Sequence, residues 1–179
     1  MCDWLTTPGS LTARLVAASS AFRVQKLRQA GALCLADEAH AIGLPGPRRV
    51  WEREVLLRCD GRPVVYGHTV VPLSATAHDW PLFSALGERS LGSTLFSDPL
   101  VRRGVLEYAR LRAGHPLVTR VRAALAAEDP AADSHTRTSP VYYARRCVYR
   151  RRQGLLLVTE VFLPAVLTLA PAAITMNDS

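Results

Sequence analysis

The stretch from residue 154 to residue 164 constrains the fold of this chain more than any other. It is a nearly continuous run of apolar, β-prone side chains that begins with Gly154 and ends with Pro164. Such a run is typical of a β-strand that is buried on both faces. Glu160 lies in the middle of it. Because burying a lone carboxylate is costly, another part of the chain or a ligand must provide its partner.

A second unexpected charge lies in the stretch 49–58. If this stretch is a β-strand, alternate side chains share a face, and the more apolar face carries Trp51, Arg53, Val55 and Leu57. Arg53 is the charged residue on that face. Two interpretations follow for Arg53 and Glu160. They form a buried ion pair, or Arg53 belongs to an anion-binding site with Glu160 as a hydrogen-bonding acid nearby.

The positive charge of the chain does not by itself indicate a nucleic-acid partner. The net charge is +7 over 179 residues, and arginine supplies nearly all of the positive charge. The arginines are scattered along the chain, without an aromatic stacking motif or zinc-finger spacing. We therefore expect no nucleic-acid partner. A basic surface of this kind helps to attract anionic small molecules.

Cysteine and histidine positions argue against a metal site, and charges argue against a membrane span. The four cysteines and five histidines show no recognisable metal-binding spacing. We expect no metal, and free thiols in a cytoplasmic protein, since no secretory signal precedes the domain. The apolar run 155–174 is interrupted by Glu160, Pro164 and Pro171. We therefore expect no stable insertion into a membrane.

The hydrophobic pattern predicts two β-hairpins. One joins strands at 50–58 and 64–71 through an Asp-Gly turn. The other joins a strand at 141–151 to the apolar stretch 154–164. Strands that are adjacent in sequence pair antiparallel, so the sheet is expected to be antiparallel.

Helices are predicted on either side of the first hairpin. Apolar side chains recur with helical spacing over residues 10–27, behind a capping serine, and over residues 98–111, behind a proline at the first position. Residues 35–49 are predicted to form a loop or short irregular strand, and residues 90–96 a turn. Helices segregated from an antiparallel sheet indicate an α+β fold.

The chain is expected to form a single domain over residues 1–179, with room for a ligand between the sheet and a helical lid. Residues 123–140 are rich in Ala, Asp, Ser, Thr and Pro, which predicts an inserted mobile loop. Residues 165–179 show no clear period and are predicted to form a loose C-terminal tail.

Several short segments, taken in order, resemble the chorismate pyruvate-lyase family. The resemblance covers roughly residues 3 to 165, and it is carried by residues 3–5 with 10–12, 53–57 with 60–61, 67–72, 91–92 with 95–96, and 156–164. Each motif is weak alone, but the ordered set is fairly specific. The resemblance implies a single α+β domain whose helices form flaps over a buried ligand site.

The resemblance also implies an activity and a set of site residues. The family removes pyruvate from chorismate to leave 4-hydroxybenzoate, a ubiquinone precursor, without metal or organic cofactor. Its substrate-binding residues correspond to Leu11, Arg53, Leu91 and Glu160, of which Arg53 and Glu160 are also the candidate catalytic residues. Arg53 is expected to bind the ring carboxylate with two parallel hydrogen bonds, and Glu160 the ring hydroxyl. Transfer of a proton by Glu160 is a further hypothesis.

The chain departs from the family pattern at four places, two of which are the long insertion 123–140 and the extra tail after Pro164. It begins almost at the Asp-Trp-Leu element, so a segment that precedes this element in relatives is expected to be absent, either truly or through a late assignment of the start. His68 stands where a relative can carry arginine, and a lone strand histidine is more often a core or rim residue than a catalyst.

The principal alternative is a sensor that binds an aromatic carboxylate without catalysis. Effector-binding domains of some transcription regulators have the same fold, but a DNA-binding domain precedes them, and none is expected before Asp3. For the lyase we expect chorismate and 4-hydroxybenzoate as small-molecule partners, and a monomeric protein.

Overall fold

A six-stranded antiparallel sheet forms the centre of the protein. The computed structural model describes residues 1–6, 9–128 and 141–169. The strands are β1 (Phe22–Leu33), β2 (Arg49–Cys59), β3 (Arg62–Pro72), β4 (Val101–Leu111), β5 (Tyr142–Arg151) and β6 (Gly154–Phe162). They are arranged in the order β1-β2-β3-β6-β5-β4. The two predicted hairpins are therefore present, and β3 and β6 join them at the centre of the sheet.

Short helices cover both faces of the sheet. They are α1 (Cys2–Thr6), α2 (Leu11–Ala17), α3 (Ala36–Ala41), α4 (Leu73–Thr76), α5 (Leu91–Ser97) and α6 (Pro116–Ala126), followed by a 3₁₀ turn (Pro164–Thr168). On one face, α2 and α5 bury Leu15 and Leu95. On the other face, α3 and α6 bury Ala39 and Val118. Because helices cover both faces of the sheet, the sequence of β6 is almost continuously apolar. The prediction of an α+β fold is confirmed.

The predicted helix over residues 10–27 is wrong after residue 17. Ser10 caps α2 as expected, since its hydroxyl accepts a hydrogen bond from Ala13 N at 3.3 Å. The helix ends at Ala17, and in the segment that follows Asp60 Oδ1 accepts hydrogen bonds from the backbone N–H groups of Ser20 and Ala21, both at 2.9 Å. The chain then enters β1, whose backbone groups pair with β2. Contacts with Asp60, about 40 residues away, and with β2 hold this segment in an extended conformation that its local period does not predict.

The predicted helix over residues 98–111 is also wrong, because Val101–Leu111 forms the edge strand β4. Pairing with β4 satisfies the backbone groups of β5 that would otherwise be exposed, which outweighs the local helical spacing. Two segments that the sequence predicts to lack helices each contain a short helix. These are α3, within residues 35–49, and α5, within residues 90–97.

The two predicted mobile segments are only partly described. Residues 123–126 lie in α6, and residues 129–140 fall outside the described residues. The 3₁₀ turn covers residues 164–168, and residues 170–179 fall outside the description as well. The mobility of both segments stays a prediction. In the described part of the chain, the helices are all too short or too polar to cross a membrane.

Candidate active site

A cavity lies between one face of the sheet and the helices α2 and α5, and we call it the flap cavity. Alternation along the strands directs every second side chain toward it. Its floor is formed by residues of β2, β3 and β6, among them Arg53, Val55, Gly67, Val158 and Glu160. The space open to the centres of water molecules is about 50 Å³, which is room for only a few waters.

Arg53 is buried in the floor of the flap cavity without a carboxylate partner among the described residues. Only 2 % of the residue is exposed. One terminal nitrogen donates to the carbonyls of Gly87 and Arg89, at 3.1 and 2.9 Å. Its Nε is buried and makes no hydrogen bond within the described part of the chain. Burial lowers the pKa of Arg53 to about 10, so the group stays charged at neutral pH and attracts an anion.

Glu160 finds its partner on the neighbouring strand. Arg145 on β5 donates from Nε to Glu160 Oε2 at 2.5 Å, and its terminal nitrogen donates to Leu5 O at 3.1 Å. Arg145 is 2 % exposed, whereas the Glu160 side chain is 21 % exposed. An ion pair between Arg53 and Glu160, one of the two sequence-based interpretations, is therefore not formed. Since Arg145 uses Oε2, Oε1 of Glu160 can accept a hydrogen bond from a ligand.

Leu11 and Leu91 close the flap cavity from above. Leu11 is the first residue of α2 and Leu91 the first residue of α5, and both are buried. The two helices meet where the hydroxyls of Thr12 and Ser90 share a hydrogen bond of 2.7 Å. Gly92 makes this approach possible, because a Cβ there would lie 2.8 Å from Thr12 Oγ1. All four residues proposed from the sequence thus line one cavity.

Arg103 and Arg145 also line the flap cavity. The sequence did not predict either of them as a site residue. Arg145 could have been found by counting along the second hairpin, because the pairing of Arg151 with Gly154 places it opposite Glu160. Arg103 has no such signal, since its strand was predicted to be a helix.

His68 lies on the opposite face of the sheet, away from the flap cavity. It is buried, and its Nε2 is 2.9 Å from Glu38 Oε1. The ligand atoms of His68, Glu52 and Glu54 lie within 4.8 Å of one another, which is close enough for a metal ion. Arg120 already bridges the two glutamates, however, at 2.7 and 2.8 Å. A guanidinium therefore fills the position that a metal would need, and His68 is a core residue in a charge cluster.

The fold is shared with ligand-binding domains of transcription regulators. The effector domain of PhnF from Mycobacterium smegmatis superposes with a TM-score of 0.56, at 18 % identity, covering 87 % of this chain and 89 % of that chain. The C-terminal domain of the histidine utilization repressor from Pseudomonas syringae superposes with a TM-score of 0.51, at 11 % identity, covering 81 % of this chain and 93 % of that chain. At these identities the likeness shows the fold alone.

Sequence comparison places the chain more narrowly. A protein of Cupriavidus metallidurans named "Probable chorismate pyruvate-lyase" is 51 % identical over 167 residues, covering 93 % of this chain and 74 % of that protein. A protein of the same name from Ralstonia nicotianae is 49 % identical over 168 residues, which cover 94 % of this chain and 83 % of that protein. The family model described as chorismate lyase matches residues 1–170. This chain therefore belongs to the chorismate lyase family.

Proposed function

We propose that this protein eliminates pyruvate from chorismate and leaves 4-hydroxybenzoate. The observation that carries the proposal is the position of Arg53 and Glu160 in the flap cavity. The two residues come from distant parts of the chain, and each presents the group that one end of the ring needs. The names of the relatives from Cupriavidus and Ralstonia support the same reaction.

Arg53 binds the ring carboxylate in this proposal. Its Nε lacks a hydrogen-bond partner among the described residues, and its carbonyl partners leave the positive charge unneutralised. A guanidinium can offer two parallel N–H groups to a carboxylate, and such a pair is strong when it is shielded from water. The ligand thus supplies the anion that this buried arginine lacks.

Glu160 accepts a hydrogen bond from the ring hydroxyl at the opposite end. The reaction removes the proton from the hydroxyl-bearing ring carbon and breaks the ether bond to the enolpyruvyl group. The electron pair of the C–H bond enters the ring, which becomes aromatic. The leaving enol takes up a proton and becomes pyruvate. Holding the ring by both ends in a closed cavity favours the reactive conformation and excludes water.

We further propose that Glu160 moves one of these protons. General acid–base catalysis of this kind contributes about 100-fold to 10,000-fold to a rate. Glu160→Gln keeps the shape and a hydrogen-bond acceptor, so it is expected to lose turnover much more than affinity for chorismate. Equal losses of both would make Glu160 a binding residue only.

The test is incubation of the purified protein with chorismate, with 4-hydroxybenzoate and pyruvate measured together by chromatography. We expect the two products in equal amounts. Arg53→Ala is expected to weaken binding of 4-hydroxybenzoate, and unchanged affinity would contradict the role of Arg53. Tight binding of 4-hydroxybenzoate without any turnover would indicate the sensor instead.

The chemistry of the product suggests its use. 4-Hydroxybenzoate can serve as the aromatic head group from which ubiquinone is built, so we propose that the reaction supplies that pathway. We propose a monomer that acts in the cytoplasm. Comparison of the sedimentation mass with the chain mass of 19.6 kDa tests the monomer.

A further inference from the structure

A row of polar side chains crosses the sheet on the face opposite the flap cavity. Directly paired residues share one face of a sheet, and the strand register places side by side Glu54, His68, Thr159, Arg146 and Glu107. A second cavity lies between the part of this row on β4, β5 and β6 and the helices α3 and α6, and we call it the back cavity. The space in it that is open to the centres of water molecules is about 220 Å³. It therefore has room for a small organic molecule.

Thr159 is the member of this row whose side chain has no partner in the described part of the chain. The other four members each contact a charged side chain. Thr159 is only 6 % exposed and lines the back cavity, and its hydroxyl makes no hydrogen bond with another described residue. Leaving a buried hydroxyl without a hydrogen bond is costly. This group is therefore available to a molecule that enters the cavity.

The charged groups around the back cavity have a negative balance. Three carboxylates line it, those of Asp37, Glu38 and Glu107. Arg146 donates to both Asp37 and Glu107, at 2.8 and 2.5 Å, and supplies one positive charge. His68 contacts Glu38 at 2.9 Å. Even a protonated His68 therefore leaves one negative charge in excess.

Two more basic residues line the back cavity without reversing this balance, Arg145 and His115. The guanidinium of Arg145 forms its ion pair with Glu160 on the flap side of the sheet. His115 Nδ1 accepts a hydrogen bond from Leu117 N at 3.2 Å. A ring nitrogen that accepts a hydrogen bond carries no proton, so this imidazole is neutral. The back cavity therefore favours a cation.

The arrangement of the walls favours an organic cation over a metal ion. Among the described residues, only Glu52, Glu54 and His68 bring three ligand atoms within 4.8 Å of one another. The three carboxylates of the back cavity therefore do not form a compact metal site. The apolar part of its wall consists of Ala109, Leu111, Leu117 and Ala144. Acidic groups beside an apolar wall fit a molecule that carries both an ammonium and a hydrocarbon group.

We propose that the back cavity binds a small primary amine with an apolar group, in its ammonium form. Thr159 Oγ1 accepts a hydrogen bond from the ammonium group, and the carboxylates supply the compensating charge. The hydrocarbon group packs against Leu111 and Leu117. Thr159 and Glu160 are neighbours on β6 and point to opposite faces of the sheet. The amine site is therefore separate from the flap cavity and does not depend on the proposed function.

The probe is benzylamine, added to the whole protein while backbone amide shifts are followed by NMR. We expect saturable shifts at Thr159, Ala144 and Leu117, with a Kd in the millimolar range or lower, about −4 kcal/mol or better. Benzyl alcohol has nearly the same shape without the charge and should bind at least about tenfold more weakly. Equal affinity for the alcohol would overturn the proposal. So would an absence of saturable shifts, or shifts confined to Val55 and Gly67 of the flap cavity.

Thr159→Val tests the hydroxyl, because it keeps the shape of the side chain. We expect it to weaken benzylamine about threefold to tenfold, the effect of one hydrogen bond. Thr69→Val is the matched control, since Thr69 is similarly buried but lines the flap cavity, and it should leave benzylamine affinity unchanged. Equal affinities of Thr159→Val and wild type would overturn the assignment of Thr159.

Glu107→Gln tests the charge and keeps the proposal open to refutation if Thr159→Val does not fold. Glu107 is largely exposed, so we expect its loss to weaken benzylamine by only about twofold to fivefold. Glu88→Gln removes an exposed carboxylate that pairs with Arg23 and should have no effect. A Glu107→Gln variant that bound benzylamine as well as wild type would contradict the electrostatic basis of the site.

Discussion

Arg145 and Glu160 face each other on adjacent antiparallel strands, and the guanidinium Nε lies 2.5 Å from the carboxylate Oε2. This pair, rather than one between Arg53 and Glu160, neutralises the charge of Glu160. It leaves Arg53 without a carboxylate among the described residues, buried in the floor of the flap cavity. Arg53 and Glu160 therefore present unlike groups to the same cavity.

Arg145→Met is expected to reduce both stability and turnover. The variant leaves Glu160 without its cation, and breaking a buried pair by removing one partner costs about 3–5 kcal/mol. Since Glu160 is partly exposed, we expect the free energy of unfolding to fall by only about 2 kcal/mol. We also expect kcat to fall more than about tenfold, because the carboxylate loses its orientation. Denaturant titration and steady-state kinetics measure the two effects.

Arg146→Met is the matched control for that variant. Arg146 is the next residue and pairs with Asp37 and Glu107, whose side chains are largely exposed. Its loss should therefore leave turnover unchanged. In a double-mutant cycle, Arg145→Met and Glu160→Gln should be strongly non-additive. Additive effects would mean that Arg145 does not act through Glu160.

Gly92→Ala is expected to separate the two flaps. The new Cβ would lie 2.8 Å from Thr12 Oγ1, and Thr12 is held in place by its hydrogen bond with Ser90. We expect α2 and α5 to move apart, so that 4-hydroxybenzoate dissociates faster and KM for chorismate rises several-fold. Stopped-flow fluorescence of product release provides the measurement.

Two further variants test whether the clash is the cause. Thr12→Ala removes the oxygen that the new methyl group meets, so the double variant should recover much of the lost affinity. Gly114→Ala should have no effect, because nothing lies within 4 Å of a Cβ at that position. A failure of Thr12→Ala to rescue Gly92→Ala would rule out the steric explanation.

Glu38→Gln is expected to change how stability depends on pH. Burial alone would raise the pKa of Glu38, but the neighbouring His68 at 2.9 Å, the hydrogen bond from Leu35 N and the charge of Arg120 outweigh it, so the pKa lies below its ordinary value of 4.5. A carboxylate with a lowered pKa stabilises the fold above its unfolded-state pKa, and this contribution is lost as pH falls through the folded-state value. Wild type should therefore lose stability below about pH 4.5.

The glutamine variant should be less stable than wild type at pH 7, by about 2 kcal/mol, and should lose less stability on acidification. Urea titrations between pH 7 and pH 3 measure both differences. Asp37→Asn serves as the control, because Asp37 is the exposed neighbour of Glu38. If Glu38→Gln and wild type lost equal stability on acidification, the interaction between Glu38 and His68 would not be the cause.

The sequence alone identified the hairpins, the α+β class and the two charges, Arg53 and Glu160, that lie in otherwise apolar strands. Strands β2, β3, β5 and β6 have strong local signals, because turn residues and continuous apolar runs depend little on distant contacts. The resemblance placed Leu11, Arg53, Leu91 and Glu160 in one site, and the structure brings all four to one cavity. Their roles in binding and catalysis stay predictions.

Only the tertiary structure decided where α2 ends, that residues 101–111 form a strand, and which residue pairs with Glu160. In each case the deciding partner is distant in the chain or on a neighbouring strand. Asp60 accepts hydrogen bonds from the segment that follows α2, and β5 pairs with β4. Local periodicity carries no information about these contacts. Burying a backbone polar group or a charge without a partner is costly, so the chain folds into the conformation that provides the partner.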